Sequence, residues 1–123
     1  MKYSEVTRRY FESAAHAGEL RGPGVFRGAA GDRNQGAWVQ FDLQVRRRAI
    51  EQARFLAFAC PHTIAVAAWL AEAATAKPVE ARLPQSVQEL RDRFEVPTEK
   101  MGRLLIIEDA WLAAAAAAMD DRG

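Results

Sequence analysis

The stretch AWVQFDLQV, residues 37–45, alternates apolar and polar side chains: Val39, Phe41, Leu43 and Val45 share one parity, and Gln40, Asp42 and Gln44 share the other. A β-strand turns successive side chains to opposite faces, so this pattern describes a strand with one buried face and one wet face. Half-buried strands of this kind belong to antiparallel sheets, because parallel sheets are covered on both sides. The expectation is that the four apolar residues meet a covering layer while the two glutamines and Asp42 point outward.

Working outward, Arg46, Arg47 and Arg48 supply a solvated turn, and AIEQARFLAFAC, residues 49–60, returns as a second long strand. Val25 to Ala30 offer a third, joined through the small-residue loop GDRNQG at 31–36. A two- or three-stranded meander needs helices on one face to be stable. The flanking segments supply them. Tyr3 to Ser13 places Tyr3, Val6, Tyr10 and Phe11 at helical spacing behind a Ser4 N-cap. HAGELRGPG, residues 16–24, carries three glycines and a proline and reads as a loop. Pro61 suits a first helical turn, opening a small-residue helix from His62 to Ala76 with Ile64, Ala68, Leu70 and Ala71. After the proline-bearing connection AKPVEARLPQ, Ser86 and Glu89 form a capping box before Leu90 and Phe94. EVPTEKMG breaks the chain again. An alanine-rich helix then runs from about Arg103 to Asp120, with Leu105, Trp111, Leu112 and Met119 expected to dock it. The order gives an α+β sandwich of one sheet and one helical layer, a single domain over residues 1–123.

Composition narrows the function. With 50% hydrophobic and 27% charged residues, the 123-residue chain can bury a core without disulfides. A net charge of +1 points to neither nucleic acid nor an anionic membrane as partner. The opening MKYSEVTRRYFESA lacks the apolar run of a signal peptide, and no segment reaches the roughly 20 apolar residues of a spanning helix. A cytoplasmic protein with no membrane partner is the expectation. No nucleophile elbow, phosphate loop, paired-cysteine zinc pattern or His-Glu-x-x-His occurs, so catalysis is not expected.

The residues that could carry chemistry are few. Cys60, the single cysteine, lies at a strand-to-helix junction, where helix amides and dipole favour an anion. Such a thiol can fall from about 8.5 to between roughly 3.5 and 7.5, although a free cysteine is also a common small core hydrophobe. His62 is near enough in sequence to share a ligand with it. Asp32, between glycines, reads as a turn residue or a ligand, and His16 as a helix cap or a solvated side chain. Glu108 and Asp109 occupy different faces of the last helix and form no converging pair.

The order of four segments adds a family. YSEVTRRYFESAAHAGEL resembles the opening of the IscU / NifU N-terminal family, with Tyr3, Ser4, Val6, Phe11 and Gly18 matching and Tyr10 and His16 replacing a histidine and an asparagine. GAAGD resembles the family's Ala-Cys-Gly-Asp loop, ARFLAFACPHTIAVAAWLAE its second cysteine segment, and LLIIEDAWLAAAA its Ile-Leu-Ala-Glu-Asp-Ala stretch. The resemblance implies the SufE/NifU (IscU-like) fold: a three-stranded antiparallel sheet packed against a layer of helices. It also implies a scaffold for iron–sulfur cluster assembly, whose cluster is held by three cysteines and an aspartate. Matched residue by residue, these fall on Ala30, Asp32, Cys60 and Arg103, and the histidine preceding the third cysteine falls on Gly102. VPTEK corresponds to the family's chaperone-recognition stretch and keeps Pro97 and Lys100.

Two of three thiolates are therefore replaced. Soft iron and zinc are held mainly by thiolates, and a cluster takes four ligands. What remains for an iron–sulfur cluster, or an iron or zinc ion, is Cys60, Asp32 and His62. The expectation is a scaffold-like assembly protein with a degenerate cluster site that binds weakly or transiently, or that shares a cluster between two chains through Cys60 of each. The alternative is a metal-free pseudo-scaffold that binds or regulates a cysteine desulfurase or other assembly proteins.

Overall fold

The computed structural model describes residues 3–13 and 15–120. Helix α1 is Glu5–Glu12; strands β1, β2 and β3 are Val25–Asp32, Ala37–Arg46 and Ala49–Phe58; helices α2, α3 and α4 are Pro61–Ala74, Val87–Phe94 and Met101–Asp120. The strands form one antiparallel sheet in the order β1-β2-β3. Ala30 pairs with Val39 and Val39 with Ala57, while Gly28 pairs with Phe41 and Phe41 with Phe55.

The period-two reading of β2 holds on the helical side, where Val39, Phe41 and Leu43 are fully buried. The Trp111 ring of α4 meets Phe41 edge-on at 5.0 Å between ring centres. Gly28 allows α4 to lie this close: a Cβ there would collide with the backbone of Ala110, Ala113 and Ala114. The small side chains of α4 serve the same approach, with Ala110, Ala114, Ala115 and Ala118 buried beside Leu104 and Ile107. The expected docking residues need correction here. Trp111 is buried, but Leu105 and Met119 are each 51% exposed, because a helix pressed onto a glycine presents alanines rather than large side chains.

The expectation of a wet opposite face is also corrected. Gln40 is buried and Asp42 is 0% exposed. The glycine-rich loop from 15 to 24 folds over this face and supplies partners for the carboxylate. Asp42 accepts the Leu20 amide at 2.9 Å and the Arg27 guanidinium at 2.8 and 2.9 Å. Gln40 donates to Glu19 at 3.2 Å, and Arg27 also reaches Glu19 at 3.1 Å. A buried carboxylate persists only when it is paired and hydrogen-bonded, and this one is.

The loops cover the outer edge of β3 at both ends. Gly18 donates to the Phe55 carbonyl and Phe55 to the His16 carbonyl, both at 2.9 Å; Ile50 donates to Lys77 at 2.8 Å and Ala76 to Ile50 at 2.7 Å. His16 does not cap α1, which ends at Ser13; its half-buried ring places Nδ1 3.2 Å from the Ala53 carbonyl. The arginine turn is left-handed at both Arg47 and Arg48 (φ 53° and 66°), the geometry that suits a tight hairpin.

Helix α1 is capped by Ser4, whose hydroxyl accepts the Thr7 amide at 3.1 Å. Its buried line is Thr7 and Tyr10, not the wider stripe expected, and Val6 and Phe11 are exposed. The helix is short and anchored by hydroxyls: Thr7 donates to the Phe94 carbonyl at 2.9 Å and Tyr10 to Glu72 at 2.8 Å. Ser86 caps α3 as read, accepting the Glu89 amide at 3.2 Å while its hydroxyl donates to the Glu89 carboxylate at 3.0 Å.

Candidate functional site around Cys60

Strand β3 ends at Phe58 and α2 begins at Pro61, leaving Cys60 as the N-cap with extended backbone (φ −75°, ψ 165°). Pro61 fits the first helical position because it lacks an N–H that would be orphaned there. Cys60 accordingly spends its carbonyl on the Ile64 amide, at 3.1 Å. Its half-buried Sγ lies 3.4 Å from the Thr63 hydroxyl, one turn into the helix. Burial pushes the thiol up, but hydrogen bonds from the Thr63 hydroxyl and amide and the charges of Lys100 and Arg103 outweigh it, and the net shift is downward.

Both cations come from the chain leading into α4. Pro97 caps a single 3-10 turn, Thr98–Lys100, closed by the Lys100 amide donating to the Pro97 carbonyl at 2.9 Å. Lys100 therefore acts on the Cys60 thiol as well as belonging to the segment matched to a partner-recognition stretch. Arg103 donates to the Gly36 carbonyl at 3.2 Å, which ties α4 to the loop between β1 and β2. On that loop Arg33 stacks over the Trp38 ring at 4.2 Å.

The remaining sequence-derived residues do not converge on the thiol. Asp32 follows Gly31, which is left-handed (φ 94°), and accepts the Asn34 amide at 2.8 Å as the cap of the Arg33–Gln35 turn. It is exposed, and the charges acting on Cys60 are those of Lys100 and Arg103. His62 is 3% exposed; its ring meets Tyr3 edge-on at 4.7 Å, and its Nδ1 has no partner. Burial, then Lys100, pushes the imidazole below its ordinary value. Ala30 sits on the Val39–Ala57 rung, at the end of the sheet where α2 starts, and Gly102 is exposed in the first turn of α4.

These residues do not fit a closed cluster site. Among the described residues no group of three or more His, Cys, Asp and Glu side chains is placed to hold a metal ion. Two cations beside the single thiol favour an anion there over a metal cation. Sequence reading missed Thr63, although a hydroxyl three residues past an N-cap is a legible signal. It did not foresee that the charges of Lys100 and Arg103 act on the thiol, because they come from the start of α4, far along the chain.

The three-stranded antiparallel sheet with its layer of helices is a known α+β domain fold. The description "NifU-like N terminal domain" matches residues 2–122, and the chain belongs to that family. A NifU-like N-terminal protein from Brucella abortus superposes with a TM-score of 0.74 at 12% identity, covering 96% of this chain and 94% of that one. A protein described as a candidate iron–sulfur cluster assembly scaffold for the SUF system, from Fervidobacterium islandicum, gives 0.71 at 13% identity, over 94% and 96%. Comparison with curated protein sequences finds no match. No described helix is long and apolar enough to cross a membrane.

Proposed function

We propose that the chain takes part in iron–sulfur cluster assembly as a scaffold-like protein with a degenerate site. Iron or cluster fragments are its cargo, bound weakly or transiently through Cys60, with a cysteine desulfurase or another assembly protein as cytoplasmic partner. The observation that carries this reading is the Cys60 junction. Cys60 is the N-cap of α2 and Arg103 donates to the Gly36 carbonyl; in this reading Cys60 is the family thiol that is kept and Arg103 stands where a further one is lost. Asp32 and His62 are the remaining donors the reading assigns to cargo, and Pro97 and Lys100 the residues it assigns to a partner. The cations at the thiol favour a second reading, a metal-free pseudo-scaffold that acts by occupying the partner.

Titration with zinc and ferrous iron tests the ligand assignment. The native chain should bind zinc at least about a hundredfold more weakly than the doubly substituted Ala30→Cys/Arg103→Cys chain, because thiolates replace solvent and oxygen ligands. Tight one-to-one zinc binding by the native monomer, or no gain in the substituted chain, would overturn it. Capture of a purified desulfurase by the native chain, unaffected by chelator, selects the second reading over the first.

A further inference from the structure

The two edges of the sheet differ. Loops bond to β3 at both ends, whereas the outer edge of β1 takes no backbone hydrogen bond from any other described segment. Its free groups can be assigned. Val45 donates to the Gly24 carbonyl at 2.8 Å, one rung beyond the pairing of Val25 with Gln44. Hydrogen-bonded rungs alternate along an antiparallel pair, so Phe26, Gly28 and Ala30 spend their backbone groups on β2, while Val25, Arg27 and Ala29 turn theirs outward. Arg27 and Ala29 are exposed accordingly.

Helix α4 borders that edge with an apolar flank. Ala113, whose backbone lies against Gly28, is exposed, as are Ala116 and Ala117, and Asp109 is the one charge beside them. A helix face this poor in charge is ordinarily a covered one. The Arg27 guanidinium does not interrupt the edge, because Asp42 and Glu19 draw it back over β2.

We infer that the free edge of β1 pairs antiparallel with β1 of a second copy of this chain, joining the two sheets across a two-fold axis with α4 against α4. Such a contact must be self-complementary, and the strand is. With the axis at Gly28, Phe26 faces Ala30 of the second copy, Arg27 faces its Ala29 and Val25 its Gly31, so each large side chain meets a small one. An axis at Arg27 would oppose like charges, and one at Ala29 would set Phe26 against Asp32. The helices fit the same axis. Helix α4 straddles the first two strands, resting on Gly28 of β1 and Phe41 of β2. With strands ~4.8 Å apart, it then stands about one strand spacing from the two-fold and ~10 Å from its copy. Helices pack at about 8–10 Å, and alanines on the facing flanks permit it. The two helices run antiparallel, which brings Asp120 at the end of one toward Lys100 and Arg103 at the start of the other. The eight residues of β1 and about six of α4 fall short of the roughly 20–30 a side of a standard interface, so the dimer is weak and reversible. Neither Cys60 nor any cluster cargo takes part.

Sedimentation equilibrium of the full chain tests this, with reductant and chelator present to exclude disulfides and shared metal. A monomer–dimer equilibrium with a Kd on the order of 10–100 μM is expected. Ala29→Pro removes an outward N–H where an edge strand tolerates proline, and Ala113→Glu sets like charges beside the axis. Each should raise the Kd at least about tenfold, with an unchanged circular dichroism spectrum confirming the fold. Hydrogen exchange at the Arg27 and Ala29 amides should slow as the chain is concentrated from about 3 to about 300 μM, because the second copy engages them. A chain that stays monomeric to about 500 μM, a dimer that both variants leave intact, or a dimer in which those two amides gain no protection rules the inference out.

Discussion

At Cys60, hydrogen bonds and nearby cations prevail over burial, and the sign of that balance is measurable. Alkylation of the native chain should show a midpoint below the roughly 8.5 of a free thiol. Arg103→Gln and Thr63→Val should each move it upward, because one removes a cation and the other a donor to the thiolate. Labelling that appears only on unfolding would refute this. His62 gives the opposite kind of test. Its folded pKa lies below the unfolded value of about 6.5, so the folded state resists the charge that the unfolded chain accepts. Stability should hold above that value and fall as pH drops through it, and His62→Phe should flatten the difference between urea midpoints at pH 7.5 and 5.5. Asp42 is the residue whose environment the sequence concealed. Its strand parity was legible, but the loop that buries it was not, since three glycines announce a turn without saying which face it crosses. Asp42→Ala should cost about 2 kcal/mol in denaturant unfolding, the scale of hydrogen bonds to a charged group, with half-exposed Arg27 rehydrating in part.

Among the elements, those with strong local signals were readable: β2 from alternation, α2 from Pro61, and α3 from Ser86 and Glu89. What the helix patterns left out was set by tertiary approach. The docking of α4 depends on Gly28 in another element, so no pattern within residues 101–120 could reveal that its alanines, rather than Leu105 and Met119, face the sheet. Gly28→Ala should therefore cost about 1–3 kcal/mol, as overpacked sites do, although alanine is otherwise harmless in a strand. A thermal midpoint within a degree of native would show that α4 gives way freely. The hairpin allows a gain. Arg47 and Arg48 both hold left-handed backbone, where asparagine and glycine are more at ease. Arg47→Asn/Arg48→Gly should stabilise by about 1 kcal/mol, read as a higher urea midpoint at constant slope.

Across the whole molecule, topology sets which ends meet. The start of α2, the start of α4 and the loop between β1 and β2 gather at one end of the sheet, joined by the bond from Arg103 to Gly36. The position of Cys60 there was legible from segment order, while its electrostatic company was not, because Lys100 and Arg103 lie some forty residues away along the chain. The covered rim of β3 has a consequence for how this chain meets others. With the backbone groups of Phe55 and Ile50 already engaged, a visiting strand finds both ends of that ladder taken. Recognition through β3 must then be written in side chains, a contact that single substitutions can rewrite without unravelling the host.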